Sequence, residues 1–170
     1  MVVQIAPSGK PIVVSAGFSR PADTTPYIDG DLVANSTTAG LIVPLALPVG
    51  REGEGRVCGI IGKARLKKTG ANIAARGFRA HFFQDSPTAA SGDNAPFSTS
   101  ASNYLGFSLF TQEFKTFTDG KVSLASDWSG RMMFDCPAGT ENIYALLEVS
   151  DAYTPASGET FTLTIEAVRF

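Results

Sequence analysis

Short runs of alternating hydrophobic and polar residues, cut by turn signals, make up most of the chain. The clearest is the last, where Phe161, Leu163, Ile165 and Ala167 alternate with Thr162, Thr164 and Glu166. Successive side chains of a strand point to opposite faces, so the first set faces a core and the second faces solvent. Phe78, Ala80 and Phe82 alternate in the same way with Arg79, His81 and Phe83, and Leu105, Phe107 and Leu109 with Gly106, Ser108 and Phe110. Lys63, Arg65 and Lys67 share one face of a strand whose other face carries Ala64 and Leu66. Ile143, Ala145, Leu147 and Val149 alternate with Tyr144, Leu146, Glu148 and Ser150. This run is apolar on both faces for half its length, which predicts a central strand or one at an interface.

Turn signals separate the runs, among them Asp29-Gly30, Gly70-Ala71-Asn72, Asp119-Gly120, Ser129-Gly130 and Pro137-Ala138-Gly139. The predicted strands lie near 10–18, 31–35, 40–47, 56–67, 78–84, 105–110, 121–125, 131–135, 143–150 and 160–169. No window of twelve residues carries the apolar spacing of a helix without Gly or Pro. Many short strands between turn clusters predict an all-β sandwich, jelly roll or barrel. A chain of 170 residues is about one domain long. One segment fits no strand. Gln84–Tyr104 is rich in Ser, Ala, Asp and Asn, with Phe97 and Tyr104 as anchors. Loops of that length are functional or pack across another element.

Composition adds a constraint. Charged residues are 18% of the chain against 44% hydrophobic, which excludes disorder and leaves a surface poor in charge. The charge is also segregated. Arg51, Arg56, Lys63, Arg65, Lys67, Lys68, Arg76 and Arg79 stand against Glu52 and Glu54 between residues 51 and 79. Eight basic against two acidic residues leaves that segment at +6, and a chain total of −2 leaves the remainder at −8. Such asymmetry suits docking or self-assembly. No run reaches the 18 apolar residues of a membrane span, and Pro7, Ser8 and Gly9 interrupt Met1–Ile5 before a signal peptide forms. Cytoplasmic synthesis and no membrane partner are the resulting expectations. Cys58 and Cys136 lie in apolar runs and read as buried free thiols.

Catalytic chemistry finds no constellation. His81 is the one histidine, and no Gly-x-Ser-x-Gly elbow accompanies it. The acids fall mostly in turns; Asp29 with Asp31 is the tightest pair, and it lacks the ligand ladder of a calcium loop. The glycines at 50, 53 and 55 read as a hairpin tip, since a strand and not a helix follows them. Between Phe18 and Phe78 the one aromatic residue is Tyr27, so the basic strand lacks rings for stacking bases. The expectation is no enzyme, no cofactor, no metal and no nucleic acid.

Three segments resemble a series of motifs in small tailed-phage and prophage proteins of the head region. Residues 18–31, Phe-Ser-Arg-Pro-Ala-Asp-Thr-Thr-Pro-Tyr-Ile-Asp-Gly-Asp, are similar to that family's RPADTTxYxxGD. Phe78-Arg79-Ala80-His81-Phe82-Phe83 with Asp93-Asn94-Ala95-Pro96-Phe97 is similar to FRLHLF…DNAAF, and Ile143–Leu147 with Ala152-Tyr153-Thr154-Pro155 to LYxxLxxxxAYTP. Pro26 and Pro96 stand where alanine is more usual. The resemblance implies a virion structural protein, a capsid decoration or cement protein located on the capsid surface. Its implied partners are the major capsid protein and further copies of itself. It brings no catalytic residues.

Together these readings predict one jelly-roll-like antiparallel β-sandwich over 1–170, with 1–9 as an extended N-terminal arm. The expected partner-binding residues are Val2, Val3 and Ile5 of the arm, Arg51, Arg56, Lys63, Arg65 and Lys67 of the basic segment, and Phe97 and Tyr104 of the long loop. The alternative is a carbohydrate-binding or host-adhesion module of a tail or fibre, with Tyr27, Tyr104, Trp128 and Tyr153 lining a groove.

Overall fold

The computed structural model describes residues 9–50, 53, 55–72, 77–111, 114–125 and 132–170. Val2, Val3, Ile5, Arg51, Arg76 and Trp128 therefore lie outside the described residues. The strands are β1 (Lys10–Ser19), β2 (Leu32–Val33), β3 (Leu45–Pro48), β4 (Val57–Lys68), β5 (Phe78–Phe83), β6 (Tyr104–Phe110), β7 (Lys115–Phe117), β8 (Gly120–Leu124), β9 (Met132–Cys136), β10 (Asn142–Val149) and β11 (Thr160–Arg169).

They form two antiparallel sheets. The first runs β1-β11-β4-β8-β7, with β9 also on β4; the second runs β2-β10-β5-β6, with β3 also on β10. The long β4 pairs with β9 along Val57–Ile61 and with β8 along Arg65–Lys68. Setting aside the three-residue edge strand β7, and taking β2 with β3 and β8 with β9 as shared positions, leaves eight principal strands. One sheet then reads first-eighth-third-sixth and the other second-seventh-fourth-fifth. That order is jelly-roll connectivity.

The alternating patterns become the faces of these sheets. Ala64 and Leu66 of β4, Phe161, Leu163 and Ile165 of β11, Phe78, Ala80 and Phe82 of β5 and Ile143, Ala145 and Leu147 of β10 fill one core between the sheets. β10 is central in its sheet, as its two apolar faces predict. Two expectations change. The run near 40–47 divides into a 3-10 turn at Ala39–Leu41 and a strand at Leu45–Pro48, because Pro44 supplies no ladder N–H. Cys136 is buried, but Cys58 is only half-buried. A bulge in the β4–β11 register at Glu166/Ala167 shifts the facing of β4, so Val57, Gly59 and Ile61 turn inward and Cys58 turns outward.

A second, smaller core lies on the outside of the second sheet. Leu32, Ala34, Phe83, Ala89 and Leu146 form it, with Ile42 and Phe97 packed alongside. Its roof is the long loop. Asp31 bridges to Pro96 and Ala89 to Thr99, and the Asp93 N–H donates to the Ser36 carbonyl at 2.7 Å. A Cβ on Gly92 would lie 1.9 Å from the Thr37 carbonyl oxygen, so only glycine permits that approach. Of the two uses open to a loop this long, it packs across an element.

Candidate interaction surfaces

The residues of the three motifs meet at one end of the sandwich. Arg20 follows β1, Tyr27 lies in the crossing to β2, Asp93 comes from the roof loop, and Tyr153 and Glu159 lie between β10 and β11. The Arg20 Nε–H donates to the Tyr27 hydroxyl at 2.9 Å. That hydroxyl donates to Asp93 Oδ1 at 2.6 Å, which also accepts the Ala34 N–H at 2.7 Å. Arg20 Nη2 reaches Asp93 Oδ2 and Asp23 Oδ1, each at 3.1 Å. Tyr27 and Tyr153 stack with ring planes 3° apart and centroids at 5.4 Å. The Tyr153 hydroxyl donates to Glu159 Oε2 at 2.7 Å, and Glu159 pairs with Lys68 at the end of β4.

Every member but Asp23 is buried, and burial sets the electrostatics. It pushes the Tyr27 and Tyr153 hydroxyls far above their usual range, so both stay protonated donors. It raises the Asp93 carboxyl against the pull of Tyr27, Ala34 and Arg20, and lowers the Lys68 ammonium against the pull of Glu159. The network thus satisfies charges that would be costly alone. It joins the chain after β1, the roof loop and the β10–β11 loop. The motif residues are a latch, and Tyr27 and Tyr153 are too buried to line the groove expected of a carbohydrate site.

The expected partner-binding residues divide between opposite faces. Lys63, Arg65 and Lys67 do share the outer face of the first sheet. Lys63 lies 3.9 Å from Glu166 and Lys67 pairs with Asp119, whereas Arg65 has no ion-pair partner among the described residues. Arg56 pairs with Asp135 at the end of this face, its Nε–H donating at 2.6 Å. Beside these charges stand Val13, Leu124 and Met133, each about two-thirds exposed at 65%, 65% and 67%. Sequence reading missed these three, since isolated apolar residues on polar faces carry no signal without the sheet that gathers them. The basic segment is not one surface: Lys68 is buried in the latch, and Arg79 belongs to the other sheet.

Phe97 and Tyr104 lie on the second sheet's outer side. Phe97 stacks on His81 with centroids at 4.4 Å. His81 Nδ1 hydrogen-bonds the Tyr104 hydroxyl at 3.0 Å, and its Nε2 lies 2.5 Å from Glu148 Oε2. Arg79 Nη1 donates to Glu148 Oε1 at 2.8 Å. Burial works against the charged form of Glu148, but His81 and Arg79 hold its carboxyl below the usual value. These side chains satisfy one another, leaving Tyr104 and the neighbouring Phe107 partly exposed. Asp31, half of the tightest acidic pair, accepts the Ile28 N–H at 2.8 Å, the turn role that aspartate commonly fills.

No family model matches the chain, and no curated protein matches it. Among solved structures it is similar to a chain of the acid-stable capsid of Helicobacter pylori bacteriophage KHP30. The identity is 14%, the TM-score 0.29, and the match covers 94% of this chain and 92% of that one.

Proposed function

We propose that this protein is a phage virion structural protein that decorates the capsid. In this reading it binds the major capsid protein and stabilises the head, a role without catalysis. The observation that carries the binding half is the open outer face of the first sheet. Apolar Val13, Leu124 and Met133 stand among Lys63, Arg65 and Lys67 on a surface that no loop of the described chain covers. Apolar contacts with arginine among them are the composition of interface cores. The exposed pairs of Lys63 and Lys67 are weak and free to exchange partners. The virion half rests on the motif series from residue 18 to residue 155.

The test is the composition of purified virions. The protein is expected on the shell in many copies, and Arg65→Glu with Met133→Asp should abolish its occupancy while leaving the purified chain folded. Its absence from virions, or its presence in the tail alone, would overturn the reading. The adhesion alternative loses Tyr27 and Tyr153 as groove residues to the latch.

A further inference from the structure

A sheet edge left unpaired is a template for another strand, and proteins commonly blunt such edges with short strands, charges or proline. The edges of this sandwich differ sharply. β7, β2 and β3 have three, two and four residues, and β6 is interrupted by a register shift opposite Phe82/Phe83. β1 has ten residues in unbroken register with β11 on one side. Its charge and its proline, Lys10 and Pro11, both stand at its start, and positions 12–19 carry neither.

The hydrogen-bond pattern shows which groups face outward. The Arg20 N–H donates to the Glu159 carbonyl, whereas the Thr160 N–H, opposite Ser19, turns to Thr69. Antiparallel pairs alternate between bonded and non-bonded. Val13, Ser15, Gly17 and Ser19 therefore aim their N–H and C=O groups away from β11, and no described residue accepts or donates to them there. The inward side chains Ile12 and Val14 are only half-buried. A cleft of about 320 Å³ between β1 and the Pro48–Gly50 turn runs beside them.

We propose that β1 is the homodimer interface, with the β1 strands of two copies pairing antiparallel across a two-fold axis through Ser15. Parity restricts the register. Inward residues must meet inward residues, so the axis passes through a residue and not between two. Centring on Ser15 sets Ile12 opposite Phe18 and Val14 opposite Ala16 on the core side, apolar against apolar in both pairs. On the outer side it sets Val13 opposite Gly17, and it brings no two like charges of positions 12–18 together. The outward backbone groups of 13, 15 and 17 then all find partners, and the first sheets of both copies become one continuous sheet. Such an interface is isologous, as two-fold dimers require. A second copy suits this edge better than a charged partner strand, because the edge itself is uncharged from Ile12 to Ser19. The inference does not rest on the capsid reading, since purified chain alone tests it.

The measurement is solution mass by sedimentation and light scattering. Wild type is expected at twice 17.9 kDa. Ser15→Lys brings two ammonium groups together at the axis and should halve that mass, with a circular dichroism spectrum that shows the monomer still folded. Leu124→Lys, remote on the same sheet, should leave the dimer intact. In a Cys58→Ser background, Ser15→Cys should form a disulfide-linked dimer on oxidation, since bonded antiparallel partners lie about 5.5 Å apart, within disulfide reach. This second variant decides the matter if Ser15→Lys fails to fold. A monomeric wild type, a dimer untouched by Ser15→Lys, or no cross-link through Ser15→Cys would overturn the proposal.

Discussion

The two outer faces of this sandwich start from similar alternating strands and end differently. On the first sheet the outward residues of β4, Lys63, Arg65 and Lys67, remain exposed or half-exposed. On the second sheet the outward residues of β5 and β10, Phe83, Leu146 and Glu148, are buried or nearly so. The difference is one loop. Residues 84–103 fold back over β5 and β10 and are held there by Asp93, which three separate donors engage. One face is thereby converted into a second core, and the other is left as the broad open surface. A long irregular segment can thus act structurally, roofing one face while the plainer one stays open.

The sharpest way to break this contrast is to remove the latch. Asp93→Ala leaves the Arg20 guanidinium, the Tyr27 hydroxyl and the Ala34 N–H without their shared acceptor. Breaking a buried pair on one side costs roughly 3–5 kcal/mol, and denaturant unfolding should show a loss of that order. Amide exchange should rise first across 85–103. If Asp93→Ala unfolds like wild type, the roof is not held by the latch.

Phe97→Ala tests the roof without touching a charge. Removing a partly buried aromatic that packs on His81 and the small core should cost about 1–3 kcal/mol. Met133→Ala, on the open face, should stay within about 0.5 kcal/mol of wild type. Equal losses for the two would erase the distinction between the faces.

Acid separates the faces more gently. Glu148 has its carboxyl held below the usual value in the fold, so the unfolded chain binds its proton at a higher pH than the folded chain does. Stability from this group is fully present above the ordinary value near 4.5 and is lost as pH falls through the lower folded value. Melting temperatures measured between neutral pH and pH 3 should fall less steeply for Glu148→Gln than for wild type. An unchanged slope would remove Glu148 from the acid response.

The smallest expected effect belongs to Arg65→Glu. An exposed arginine with no ion-pair partner among the described residues contributes little to folding, so unfolding should move by less than about 0.5 kcal/mol. Its effect is expected on the virion, as reduced occupancy.

The sequence alone determined the strands, because period-two alternation and turn residues are local and the jelly roll honours both. Phe161 to Ala167 and Phe78 to Phe82 face the core as their spacing requires. The grouping of Lys63, Arg65 and Lys67 was legible for the same reason. The short β7 was not, since Lys115-Thr116-Phe117 carries too few alternations to register. Tertiary structure alone decided the rest. Phe83 shares its strand face with Arg79 and His81 and reads as solvent-facing, yet it is 1% exposed, because a loop distant in pattern covers it. Arg20, Tyr27, Asp93 and Tyr153 are separated by up to 133 positions and meet through loop closure, which no local period encodes. Likewise, the bulge opposite Glu166/Ala167 turns Cys58 to the surface, and the edge of β1 that no described strand pairs exists only once the sheet order is fixed.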